Sequence, residues 1–281
     1  MVAQPNDRPG LSWLGPPIDA RPLFGPELEA LLGLLRGLRP GQWSETAVPG
    51  WTVHDVAVHV LGDYRARLGR REFGAFAPGE TLEAFIHRAN QEWVDLHRDM
   101  DPASLVDALG EAVGELAHRF AHADLDAPSL GVSWAGVDPA PMWLDCAREF
   151  TEYWAHRQQI RHAAGLGTDP EPRALSMVLD TFMRALPHTL RDTAAPAGTR
   201  VALTVTGPGG GTWTVTAGPE GWSLAQDPDG RPAAATVELD TETAWRLCTR
   251  GVQPADALAR ARAEGDRRIA EAACRIVSIV Y

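Results

Sequence analysis

The stretch REFTEYWAHRQQIRHAAG, Arg148 to Gly165, decides how this chain is read. It is apolar and aromatic along part of its length, and Gly165 and Gly167 stop it, so it belongs to a long helix from about Pro141 to Ala164. Within it Glu152 stands four residues before His156. At that spacing two side chains share one helix face, about 5–6 Å apart at Cβ. A solvated Glu–His pair and two ligands of one metal ion both satisfy the spacing, and the segment alone does not choose between them.

The helical pattern extends outward on both sides. PELEALLGLLRGL (Pro26 to Leu38) carries Leu28, Leu31, Leu32 and Leu35 on one stripe. In VPGWTVHDVAVHVLGDYRARLG, Pro49 and Gly50 make a turn. Thr52 and Asp55 form a capping box there, which predicts a helix starting near Val53. Thr81 to Met100 and Pro102 to Ala123 read as a third and fourth helix, and PRALSMVLDTFMRALPHTL as a sixth that runs to about Leu190. His59 lies between Val56 and Val60 and shares their apolar face, so it points into a bundle. A histidine there is either a satisfied core residue or a third ligand. Two histidines and one glutamate leave the fourth tetrahedral position open, the arrangement of catalytic rather than structural zinc.

The texture changes at RDTAAPAGT, Arg191 to Thr199, which has linker composition. RVALTVTG, GTWTVTAG and ATVELD then alternate with period two around Gly-rich turns, which predicts an antiparallel sheet with GPGGG (Gly207 to Gly211) as a hairpin turn. Helical patterns return at Thr241 to Thr249, near Pro254 to Ala259 and at Asp266 to Ala273. AEGD (Ala263 to Asp266) reads as a turn with Asp266 as cap, and RIVSIVY as a last strand. The expected fold class is α plus α+β: a helical bundle over residues 1–190 and a smaller α+β domain over residues 200–281.

Composition excludes several functions. A net charge of -11 argues against a nucleic-acid partner, and the run RARLGRR (Arg65 to Arg71) reads as a solvated helix end. All 26 basic residues are arginine, which removes Schiff-base, P-loop and pyridoxal chemistry, each of which needs an ε-amine. The Ala, Arg, Gly and Pro bias fits a GC-rich, actinobacterial genome. Cys146, Cys248 and Cys274 form no CxxC motif and predict reduced, buried thiols. No apolar run approaches the roughly 20 residues of a membrane span. The opening MVAQPNDRPGLSW has no signal-peptide pattern, and the expectation is a cytoplasmic protein. His118 and His122 share a face without a third ligand. His54 and His162 are expected to face outward, and Trp51, Trp143 and Trp154 to pack the bundle.

Two segments carry a family resemblance. VPGWTVHDVAVHVLGD resembles the start of the second helix of DinB-like metal-binding bundles, and Glu152-Tyr153-Trp154-Ala155-His156-Arg157-Gln158-Gln159-Ile160 is similar to their second motif. Many relatives carry histidine at the place of Glu152. Glutamate there resembles the mycothiol-dependent maleylpyruvate isomerase branch, whose sterol-carrier-like C-terminal domain TVELDTETAWRLCTRG and ARAEGD also resemble. The resemblance implies a divalent metal, zinc first, on His59, Glu152 and His156, with mycothiol as thiol cofactor or co-substrate. It further implies an isomerase or S-transferase acting on a small unsaturated, carboxylate-bearing electrophile. In that branch an arginine of the C-terminal domain takes part. Arg262 is the best match, Arg260 competes with it, and Arg157 beside a ligand is a second candidate for the carboxylate. Gln159 is placed to support His156. Nickel, iron or manganese also suit the donor set. A hydrolase using bound water and a non-catalytic metal-binding module are the competing readings. The oligomeric expectation is a monomer or homodimer.

Overall fold

Leu28, Leu31, Leu32 and Leu35 are all buried on helix α1 (Arg21–Arg36). Each such side chain removed from water contributes about 1.5–3 kcal/mol before entropy is counted. The helix begins at Arg21 rather than Pro26, because Pro22 sits in its first turn, where a missing N–H costs nothing. The computed structural model describes residues 10–169, 171–224 and 231–278. Two compact units interleave along the chain: one holds residues 20–123 and 149–169, the other residues 1–19, 124–148 and 170–280.

In the first unit a short antiparallel pair, β1 (Thr46–Val48) and β2 (Trp51–Thr52), leads into α2 (Val53–Arg67). Thr52 Oγ1 accepts from the Asp55 N–H at 3.2 Å while the Asp55 carboxylate accepts from the Thr52 N–H at 2.9 Å, the capping box that the sequence predicts. Helices α3 (Leu82–Leu96) and α4 (Pro102–Ala121) start on Thr81 and Asp101 caps. Helix α1 packs on α4, and α2 packs on both α3 and α4. Val56, Val60 and Tyr64 of α2 and Leu105, Leu109 and Leu116 of α4 are fully buried. The Phe24 and Phe120 rings stack at 3.9 Å, with Phe150 and Tyr153 edge-on.

In the second unit the pair β3 (Pro128–Ser129) and β4 (Ala140–Pro141) precedes α5 (Met142–Ala163), which runs on into the first unit and ends before left-handed Gly165. Trp143 of α5 packs with Leu14, Val132 and Leu144. The expected sixth helix is two: α6 (Pro172–Met183) and α7 (Leu186–Thr189). Pro187 has no N–H to continue α6, which accounts for the break.

Strands β5 (Arg200–Thr206), β6 (Gly211–Gly218), β7 (Gly221–Leu224), β8 (Ala235–Asp240) and β9 (Arg262–Gly265) form one sheet in the order β7-β6-β5-β8-β9. Helices α8 (Thr241–Cys248), α9 (Pro254–Arg260) and α10 (Arg267–Ala273) complete the unit. The α+β reading holds, with corrections. The sheet is mixed: β5 and β8 are parallel, Val201 opposite Ala235 and Val205 opposite Leu239. Period two is the same in both senses, so alternation could not tell them apart. Ala263 to Gly265, read as turn, belongs to strand β9, all four of whose residues are exposed and show no alternation; Asp266 does cap α10. Of the expected last strand, residues 275–278 are not strand, and residues 279–281 lie outside the described residues, as does the opening segment 1–9. Among the described residues no helix is long and apolar enough to cross a membrane.

Candidate metal centre

Helix α2 supplies His59, and α5 supplies Glu152 and His156. All three lie in the unit of residues 20–123 and 149–169. His59 is inward because Val56 and Val60 bury its face, leaving it 3% exposed. One atom from each of the three residues falls within 4.8 Å of the others. His59 Nε2 lies 3.1 Å from His156 Nε2, and Glu152 Oε1 lies 3.2 Å from His156 Nε2 and 3.9 Å from His59 Nε2. Donors held at about 2.0–2.1 Å by one tetrahedral ion stand roughly 3.3 Å from one another. The spacing and the donor chemistry therefore fit a divalent metal ion, which this group could hold.

Neighbouring groups set the orientation of the donors. Gln159 Oε1 lies 2.7 Å from His156 Nδ1 and accepts from it, which turns Nε2 toward the cluster. The Trp51 ring lies 5.1 Å from the His59 ring, and its Nε1–H donates to Gln91. His59 Nδ1 is buried without a hydrogen-bond partner. Burial raises the Glu152 carboxyl pKa, but hydrogen bonds and charge from His156 and His59 overcome it and hold Glu152 below the ordinary carboxylate value. Burial lowers and Glu152 raises the His156 value, which ends above that of free imidazole.

A second ring of polar residues surrounds the donors. Asp63 lies one turn after His59, its Oδ2 3.3 Å from His59 Nε2. Burial raises its pKa, with His59 opposing the shift. Arg67 donates to Glu149 Oε2 at 2.5 Å, and Tyr153 donates to Glu149 Oε1 at 2.7 Å. The run Arg65 to Arg71 is thus not a solvated helix end. Arg70 is exposed and pairs with Glu115, but Arg71 is buried.

The other expected residues are placed as follows. Arg157 is 3% exposed, donates through Nε and Nη2 to Glu27 at 2.5 and 2.9 Å, and reaches Asp169 through Nη1 at 2.7 Å. Its fork is committed to two carboxylates. Arg262 is exposed on β9 in the other unit and pairs with Glu264 at 2.8 Å. Trp154 is fully buried. His118 and His122 are exposed, with ring centroids 4.1 Å apart. His54 and His162 are half-buried rather than outward: His54 Nε2 meets the Met100 carbonyl and His162 Nε2 meets Thr168 Oγ1.

Comparison with known proteins adds a family. A family model described as the mycothiol maleylpyruvate isomerase N-terminal domain matches residues 24–161. The match spans just under half of the 281-residue chain. The matched segment contains His59, Glu152 and His156. Two solved structures are similar at 13% identity, each match covering 84% of this chain and 90% of the other. They are a crystal structure of the mycothiol-dependent maleylpyruvate isomerase, with a TM-score of 0.49, and one of its histidine-to-alanine mutant, with a TM-score of 0.46. No curated protein matches the chain significantly. Within the matched segment, sequence reasoning missed Asp63, Arg67, Glu149 and Tyr153. A signal was present: His59, Asp63 and Arg67 form one i, i+4 ladder on α2, and Glu149 and Tyr153 another on α5.

Proposed function

We propose that this chain is a metal- and thiol-dependent enzyme of the maleylpyruvate isomerase type, using mycothiol to isomerise, or to transfer the thiol onto, a small unsaturated carboxylate. The observation that carries the reading is the convergence of His59, Glu152 and His156 within 4.8 Å inside a domain of that family. A divalent cation there, zinc first, would supply a Lewis acid that lowers the pKa of a thiol brought to it.

The chain's own residues do the rest. Glu152 offsets the cation's charge, and its low pKa keeps it available as a donor at neutral pH. Gln159 fixes the His156 tautomer so that Nε2 faces the cluster. Buried Val56, Val60 and Trp154 border these elements and exclude water. The protein's cysteines are not the nucleophile: all three are buried, and burial pushes the Cys248 thiol up to about 12. In the isomerase form the sulfur of the added thiol bonds to one carbon of a conjugated cis double bond. Rotation about the resulting single bond follows, and loss of the same thiol restores the double bond in the trans geometry, with no net oxidation.

Elemental analysis paired with a thiol-dependence assay tests the proposal. The expected result is one equivalent of divalent metal and turnover of a cis-unsaturated carboxylate only with added mycothiol. Equal turnover without thiol would contradict it and favour bound water as nucleophile. A metal-free chain that still turns over would remove it altogether.

A further inference from the structure

Asp63 is a carboxylate beside the centre that is not one of its three converging donors. Its Oδ2 lies 3.3 Å from His59 Nε2, the atom that would carry the cation, so it borders whatever that nitrogen holds. Its Oδ1 lies 4.0 Å from Arg71 Nη1. Arg71 is buried, and its Nη2 donates to the Ala89 carbonyl at 2.8 Å and to Asn90 Oδ1 at 3.2 Å. Its guanidinium lies over Phe73 at 4.5 Å and over Trp93 at 5.0 Å. Nη1 has no hydrogen-bond partner and is the one part of the fork left facing Asp63.

Gly62 makes room for this arrangement. A Cβ there would fall 2.6 Å from Trp93 Nε1 and 2.8 Å from Arg71 Nη1. Glycine inside a helix is less stable than alanine, so α2 gives up stability where the slot is needed. Two elements thus converge on one carboxylate: α2 aims it at His59, and the segment after α2 backs it with a cation.

We propose that Asp63, held by Arg71, is the charged wall of the open position at the metal centre. It is not a ligand. It meets what enters beside the three donors, disfavours a second anion there, and favours a ligand that arrives with an S–H, O–H or N–H to donate. The substrate's carboxylate must then be held away from this wall. The inference rests on the metal reading given above.

The test uses the full chain loaded with cobalt(II), titrated with azide at pH 8 and followed by visible absorption. Asp63→Asn is expected to keep one equivalent of cobalt and bind azide about tenfold more tightly, because a like charge a few ångströms away has been removed. Arg71→Met removes the backing cation and is expected to weaken azide by about the same factor. Opposite signs are the signature, since simple loss of packing would move both variants the same way. Azide affinities within twofold of wild type for the isosteric Asp63→Asn overturn the proposal. So does loss of cobalt from that variant, which would make Asp63 a ligand. A wild-type chain that binds no cobalt overturns the metal reading and this inference with it, whereas cobalt binding with unmoved azide affinities overturns this inference alone.

Discussion

His59 Nε2 and His156 Nε2 lie 3.1 Å apart although 97 residues separate them in the chain. Gln159 Oε1 accepts from His156 Nδ1–H, which turns Nε2 toward the His59 ring and Glu152. Two histidines and a carboxylate gathered this closely in a mostly buried site could hold one cation between them. Replacing His59, Glu152 or His156 by alanine is therefore expected to take metal content from one equivalent to below about a tenth after dialysis against a weak chelator, because two remaining donors bind far more weakly than three. Inductively coupled plasma analysis of each purified variant reads this directly. A His59→Ala chain that keeps its full metal content would show that His59 is a core histidine.

Gln159 supplies a graded version of the same test. Its Oε1 fixes the His156 ring at 2.7 Å without itself being a donor to the cluster. Gln159→Leu keeps the volume and loses the acceptor. Metal affinity, measured by competition with a coloured chelator, should fall by roughly 10–100-fold with one equivalent still bound at saturation. An unchanged affinity would mean that the ring is oriented by packing alone.

Arg157 should behave differently. It sits beside His156 in sequence, yet it spans Glu27 and Asp169. Arg157→Met removes the cation shared by Glu27 and Asp169, Glu27 being 4% exposed, and breaking such a buried pair costs about 3–5 kcal/mol. The midpoint of urea unfolding should drop accordingly while metal stoichiometry stays at one. Loss of turnover with no loss of stability would instead place Arg157 at the substrate.

How much of this could be read from the chain depends on the kind of signal each element leaves. The α2 capping box, the α1 and α4 leucine stripes and the shared face of Glu152 and His156 were legible, because helical spacing puts i and i+4 on one face and the rule needs no tertiary information. The parallel pairing of β5 and β8 was not, because a strand's alternation is the same whichever way its neighbour runs. Strand β9 was missed because four exposed residues carry no buried face. Arg71 was misread as solvated because it follows the end of α2, where periodicity stops; its burial depends on Trp93 and on the space at Gly62, which only the folded chain brings together. The interleaving of the two units along the chain leaves no compositional mark either.

The cysteines offer a last test, and its sign follows from burial. Cys248 is pushed up to about 12 and Cys274 to about 11, the first cause in each case being removal from water, which disfavours the thiolate. Both thiols stay protonated at pH 8, and only thiolates alkylate at useful rates. Cys146 is buried as well. Iodoacetamide at pH 8 should therefore leave the native chain unmodified for hours by intact mass, and add three groups once the chain is unfolded in guanidinium, one for each cysteine in the sequence. Native alkylation within minutes would mean that a protein thiolate is exposed. Thiol dependence in the turnover assay could then no longer be assigned to the added thiol alone.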